Sequence, residues 1–383
     1  METASVDRLR RVLDKLAGAG LAEKAARADA AHRAALGYEQ VPRLPVVFSY
    51  PDRAGSDCSA LPGGLIYRDP AAMLHNELVS AWGSSILESA AIGDDLCPTI
   101  RPNWGTVLVA SALGGNAEQI GDDTPWIRRG AGKPISLEAI AEADPDLPRS
   151  GWIPRVLETY AAFRELLAPY PEVAAGLQTT LPDLQGPLDT VEQLLGADLF
   201  TEMVDRPDLV RAALRRTAEI QISCFRLFAP YATERVSGYS HQHGFLVVGG
   251  ILIRDDSTVM LSPGMYRDLV APADEAVLSA VGGGGIHSCG RVEHAVPEML
   301  ALASVRCIDF GQAWMNDVDR LYGPASEQGI PFLRVRPTRE ELETASVLDR
   351  FPTGVALSFP ADSSEDARGL FDAYLRNAEA RRR

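Results

Sequence analysis

Long apolar runs are missing from this chain. Nowhere in its 383 residues is there an uninterrupted apolar stretch of the roughly 20 residues that a membrane-spanning helix needs. Its first segment, METASVDRLRRVLDKLAGAG, lacks the apolar core of a secretory leader and reads as an amphipathic helix. Cysteines are few, odd in number and scattered: Cys58, Cys97, Cys224, Cys289 and Cys307. That pattern argues against a disulfide framework, and a reducing, cytoplasmic setting is the expectation. Basic residues are also scarce, 37 Lys and Arg against 52 Asp and Glu, a formal charge of −15. Such a field repels phosphate backbones and anionic lipid, so neither nucleic acid nor a membrane is an expected partner. Internal repeats and low-complexity linkers are absent too, which leaves one domain over residues 44–383 behind an N-terminal helical extension, 1–43.

Hydrophobic residues, at 46%, are enough for a large core. Residues 5–37 are Ala-rich and helical in pattern, with no partner strand. From residue 44 onward, short apolar runs alternate with longer amphipathic segments. The runs that read as strands are 44–50, 96–102, 177–183, 249–256, 283–289, 305–311, 331–337 and 354–360. Helix starts lie between them: Ser262 before Pro263, Asp205 before Pro207, and Ser363 or Ser364 opening the last helix. Eight strand–helix alternations imply parallel pairing in an α/β fold, and favour a closed (β/α)8 TIM barrel over an open sheet. The stretch 102–176, with Trp104, Trp126 and Trp152, is long for one connection and is expected to form an insertion or lid.

The strongest local signal is GGGGIHSCG, residues 282–290. Alternate strand residues share a face, so His287 and Cys289 should point the same way, at the strand end where barrel enzymes keep their chemistry. A nitrogen and a thiolate side by side suit zinc. Cys307 lies near the start of its strand, about 13 Å below the rim at ~3.3 Å per residue, and reads as a core cysteine. His241 and His243, two apart in SHQHGF, could both face the site as ligands or as acid–base groups. Asp255 and Asp256 end ILIRDD, where a carboxylate could ligate metal, orient a histidine or cap a helix. Gln312 and Asn316 follow CIDFGQ and could orient a polar substrate. Arg334 and Arg336 alternate on FLRVRP; arginine on a buried strand demands an anionic partner, whether a substrate carboxylate or an internal acid such as Asp309. Residue 336 lies nearer the strand end, so Arg336 is expected closer to the chemistry.

The run IRDDSTVMLSPGMYRDLVAPADEAVLSAVGGGGIHSCGRVEHAVPEMLALASVRCIDFGQ resembles the uroporphyrinogen decarboxylase superfamily. That group includes the decarboxylase and the zinc-dependent methyltransferases that serve corrinoid proteins and thiols. The matching elements are the strand ending in Asp-Asp, the Ser-Pro helix start with its Tyr, and the His-x-Cys-Gly turn. GDDLCPTIRPNWG and GPLDTVEQLLGADLFTEMVDRPDLV are similar as well. The resemblance runs in order over roughly residues 44–360 and is most specific from 249 to 312. It implies a barrel, and it implies that His287 and Cys289 are metal ligands. The methyltransferases add a cysteine in or after the last strand. Here that region reads GVALSFPADSSED, so His241, His243 or Asp256 would have to replace it. The decarboxylase's arginine-rich segment after the first strand is reduced to Arg53-Ala54-Gly55, too little charge for an eight-carboxylate porphyrinogen.

Two enzymatic readings follow. In the first, zinc on His287 and Cys289 activates a thiol or another small acceptor for methyl transfer, with a corrinoid on a partner protein as a donor. In the second, a metal-free decarboxylase holds a substrate carboxylate on Arg334 and Arg336, while Asp256 or a histidine delivers the proton. A third, non-enzymatic reading is a barrel that binds a metabolite without turning it over.

Overall fold

Each of the eight apolar runs read as a strand contains one in the computed structural model, which describes residues 2–51, 58–130, 135–145 and 149–381. The Arg53-Ala54-Gly55 echo lies outside the described residues. Among the described residues there are twelve strands. They are β1 (Val46–Ser49), β2 (Thr99–Ile100), β3 (Ala117–Glu118), β4 (Trp126–Ile127), β5 (Gln178–Thr179), β6 (Tyr239–Gln242), β7 (Phe245–Val248), β8 (Ile251–Arg254), β9 (Gly284–Ser288), β10 (Val305–Phe310), β11 (Phe332–Val335) and β12 (Val355–Pro360).

Six of them form a central parallel sheet in the order β1-β12-β11-β10-β9-β8. β2 and β5 pair in parallel as a separate two-stranded sheet. Both edges of the central sheet reach toward this pair. The Asp95 N–H donates to the Val46 carbonyl at 3.1 Å, and Gln185 bridges Arg254 in parallel fashion. The result is a mixed α/β architecture in which helices separate the strands in sequence, as parallel pairing requires. Two short antiparallel ribbons, β3–β4 and β6–β7, were not among the expected strands.

The N-terminal segment forms two helices, α1 (Thr3–Ala17) and α2 (Leu21–Leu36), broken at the Ala-Gly-Ala-Gly run. Leu9, Val12, Leu13 and Leu16 of α1 are buried in the same core as the strands. Each such side chain contributes roughly 1.5–3 kcal/mol of burial, so this extension is fastened down. Ser262 caps its helix as expected, its Oγ accepting from the Met265 N–H at 3.2 Å with Pro263 in the first turn. Ser363 does the same for the helix Ser364–Ala380. The expected Asp205 cap is a correction: Asp205 ends the preceding helix, and Arg206 occupies the position before Pro207 with no side-chain cap bond.

Described parts of the 102–176 stretch pack onto the body. Trp104 and Trp152 meet edge to face at 5.7 Å, Arg155 lies over both rings, and Trp104 Nε1 donates to Thr159 Oγ1 at 2.9 Å. Trp126 is exposed. Among the described residues, no helix is long and apolar enough to cross a membrane.

Candidate metal centre and the pocket beside it

In a parallel sheet all strands end on the same side, so residues that close neighbouring strands are brought together. The register does this here: His287 on β9 lies opposite Arg254 on β8 and Asp309 on β10. Just beyond these ends, one oxygen of Asp256, one nitrogen of His287 and the sulfur of Cys289 all lie within 4.8 Å of one another. His287 Nε2 is 3.4 Å from Cys289 Sγ and 3.8 Å from Asp256 Oδ1. Asp256 Oδ1 also accepts from the Cys289 N–H at 2.7 Å, which holds the carboxylate over the loop.

The other imidazole nitrogen is fixed from behind. His287 Nδ1 sits 2.8 Å from Asp309 Oδ2, and Asp309 is buried. Burial alone would raise the Asp309 carboxyl, but Arg334 and then His287 outweigh it and hold it well below the usual range. An ionised Asp309 accepts the Nδ1 proton and leaves the Nε2 lone pair directed at Asp256 and Cys289, the arrangement that orients histidine ligands in metal sites. Burial, and after it the neighbouring Asp256 charge, pushes the Cys289 thiol up to about 12. Without a cation this thiol stays protonated at neutral pH.

Gly311, just after β10, explains how tightly this loop is set. A Cβ there would stand 2.5 Å from Cys289 Sγ and 3.2 Å from His287 Cε1. Gln312 and Asn316 support the same loop. Gln312 Oε1 accepts from the Gly290 N–H. Asn316 Oδ1 accepts from the Val292 and Glu293 N–H groups at 2.8 and 3.0 Å, and its Nδ2 donates to the Gly290 and Gln312 carbonyls, both at 2.9 Å. The Asn316 carboxamide is thus spent on the loop and positions it, rather than reaching a substrate as expected.

Beside this centre lies a pocket of about 230 Å3, lined by His243, Phe245, Gly311, Trp314, Arg334 and Arg336 among others. None of the described residues of the 102–176 stretch is among its lining. The two arginines divide differently from the expectation. Arg334 is the inner one: its Nε is 3.4 Å from Asp309 Oδ1 and its Nη2 is 2.9 Å from His243 Nδ1. Arg336 is exposed and stacks on Trp314 at 4.6 Å. Both line the pocket, at different depths; Arg334 has φ +57°, and the β11–β12 register shifts between Phe332 and Val335.

The two histidines of SHQHGF also separate. His243 and Gly244 form the tight turn between β6 and β7, with φ of +52° and +82°. Positive φ at both central residues is the two-residue hairpin turn, and it carries His243 out of strand alternation. His243 reaches the pocket. His241, within β6, is buried against Asp29 and Glu234 and lies outside the centre, so its expected catalytic role is corrected. Asp255 is corrected as well. It is fully buried, beside Asp274 and Asp189, and its carboxyl is raised well above the usual range by burial first and Asp274 next. Cys307 is buried, with Sγ 3.8 Å from the Val248 carbonyl, and it does not belong to the metal cluster. His294 hydrogen-bonds the Leu261 carbonyl at 2.9 Å.

Behind the pocket lies an ionic network that sequence reasoning missed. Arg101 and Arg254 both pair with Asp183, and all three are buried. His243 Nε2 is 2.8 Å from Asp183 Oδ1. His243 Nε2 also lies 2.8 Å from Arg254 Nη2 and 2.9 Å from Arg101 Nη1, so the ring is held among three guanidinium groups and Asp183. Burial pushes His243 well below its ordinary value; Asp183 opposes this, and Arg254 and Arg101 add to it. Arg101 sits in 96–102, Asp183 in 177–183 and Arg254 in 249–256, each at or near the end of an expected strand. A charge closing an apolar run was the signal available. In comparison with known proteins, the chain matches no family description and no curated protein.

Proposed function

We propose that the chain is a zinc-dependent methyl-transfer enzyme of the uroporphyrinogen decarboxylase superfamily, built on a closed (β/α)8 barrel. The observation that carries this reading is the Asp256–His287–Cys289 cluster at adjacent strand ends, with Asp309 behind His287. It provides three ligands of the oxygen, nitrogen and sulfur types that catalytic zinc sites use, with Asp256 in place of the missing cysteine. Barrel closure is supported by the eight parallel strands and by the contacts that lead from both edges of the central sheet to β2 and β5.

Bound there, zinc would supply Lewis acidity, lowering the pKa of a substrate thiol so that a nucleophile is available near neutral pH. The protein's own groups do the rest. Asp309 holds the His287 tautomer, Asp256 anchors the loop through the Cys289 N–H, and Arg334 and Arg336 present guanidinium groups to an anionic part of the acceptor. His243, kept neutral, fixes Arg334. The methyl donor in this reading is a methylated corrinoid on a partner protein.

The arginine-lined pocket favours a second reading, a metal-independent decarboxylase that holds a carboxylate on Arg334 and Arg336. Metal analysis separates the two. In the first reading, protein purified without chelator loses about one zinc per chain when His287, Cys289 or Asp256 is replaced by alanine. Zinc should also be required for small anionic thiols to raise the melting temperature. A parent protein with the same metal content as these three variants would overturn the methyl-transfer reading and leave the decarboxylase.

A further inference from the structure

A second set of ligand-type side chains lies apart from this centre. Asp29 on α2, Cys97 just before β2 and His241 on β6 come from three distant parts of the chain. One donor atom from each lies within 4.8 Å of the other two, and all three residues are buried. His241 Nε2 is 3.0 Å from Asp29 Oδ1. On its far side, Glu234 accepts both from His241 Nδ1, at 2.6 Å, and from the His241 backbone N–H, at 3.1 Å. Glu234 therefore does for His241 what Asp309 does for His287: it holds the proton on Nδ1 and turns Nε2 toward the other donors.

One helical turn along α2 from Asp29, buried His32 carries a nitrogen with no use inside the protein. Its Nε2 is 3.0 Å from the Asp95 carbonyl, so it donates there, and Nδ1 is bare with no hydrogen-bond partner among the described residues. Residues three apart share a helix face. A buried unpaired imidazole nitrogen costs free energy unless something satisfies it. An open groove of about 490 Å3, lined by Ala22, Ala26, Asp29, Arg33 and Arg235 among others, leads to Asp29 from outside.

We propose that Asp29, Cys97 and His241 form a second, structural site for zinc or a similar divalent ion. Arg235 lies 3.6 Å from Asp29 at the mouth of the cluster. A divalent ion there would take Cys97 as its thiolate, so binding releases a proton. The site would tie α2 to the β6–β7 hairpin, whose turn carries His243 into the pocket.

The test is a cobalt titration of full-length, metal-stripped protein. The parent should take about two equivalents. The His287→Ala/Cys289→Ala double variant should keep one, with a near-ultraviolet thiolate-to-cobalt charge-transfer band and proton release on binding in weak buffer. Adding Asp29→Asn or Cys97→Ser to the double variant should abolish both band and binding. Where those triple variants fold poorly, X-ray absorption on the zinc-loaded double variant gives the answer: one sulfur at about 2.3 Å with nitrogen and oxygen at about 2.0 Å. A double variant that binds no cobalt, or a zinc shell without sulfur, would overturn the proposal. Failure of the first centre reads differently: one equivalent in the parent, untouched in the double variant and lost with Cys97→Ser.

Discussion

Asp309 stands between His287 and Arg334, one carboxylate oxygen 2.8 Å from the imidazole Nδ1 and the other 3.4 Å from the guanidinium Nε. One buried charge thus serves the candidate metal centre and the pocket wall together. Replacing it with the isosteric amide keeps the shape and removes the charge. In Asp309→Asn, zinc affinity at the first centre is expected to fall roughly 10–100-fold, the usual effect of losing such a support. Competition with a chromophoric chelator measures it, and unchanged affinity would show that Asp309 serves only Arg334.

The two arginines should separate in stability. Arg334→Met leaves buried Asp309 without its guanidinium partner and should cost roughly 3–5 kcal/mol, the range for a broken buried pair. Arg336→Met removes an exposed side chain stacked on Trp314 and should leave the melting temperature near that of the parent. Denaturant melts of both variants test this. Equal losses would place the two side chains in equivalent surroundings, against the geometry.

Asp274 gives a pH signature. Its carboxyl accepts from the Tyr266 hydroxyl at 2.7 Å, and burial pushes it up to about 7. An unfolded aspartate titrates near ~3.9, so the folded state holds this proton more tightly. The stability it contributes is present at low pH and is lost as pH rises between about 4 and 7, at roughly 1.4 kcal/mol per unit. Asp274→Asn should make that part of the stability profile shallower, leaving the share carried by Asp255, which is raised as well. A parallel profile in the variant would mean that another group carries the proton.

Cys307→Ser should leave metal content unchanged, since its sulfur faces the Val248 carbonyl away from both ligand clusters. Elemental analysis of that variant beside Cys289→Ala makes the comparison, and a loss of zinc with Cys307 would mean that the metal is bound elsewhere.

Much of this arrangement was legible in the sequence because it follows from period and position. Apolar runs of strand length located all eight parallel strands, and His287 and Cys289, two apart at a strand end, do lie side by side. The errors arose where the backbone leaves strand alternation. His241 and His243 would share a face on a continuous strand, but the turn at His243 and Gly244 sends one into the interior beside α2 and the other into the pocket. Arg334 and Arg336 both reach the pocket, but Arg334, with its positive φ, is the one paired with Asp309, where alternation alone favoured Arg336. These departures are set by hairpin geometry and sheet register, which no local pattern announces. Asp255 and Asp256 are adjacent, so the pleat alone puts them on opposite sides, and only packing decides which one meets Cys289.

Gly311 sets a limit on how this centre can vary. The residue contributes no ligand, charge or hydrogen-bonding side chain, yet a single methyl group there would collide with the Cys289 sulfur and crowd the His287 ring. The most economical way to disable the site is therefore not to remove a ligand but to add one carbon beside it. Drift among homologues should leave glycine at this position wherever the His-x-Cys pair is retained, and release it to larger residues wherever the pair has been lost. The occupant of position 311 would then mark, from sequence alone, which relatives keep the candidate centre.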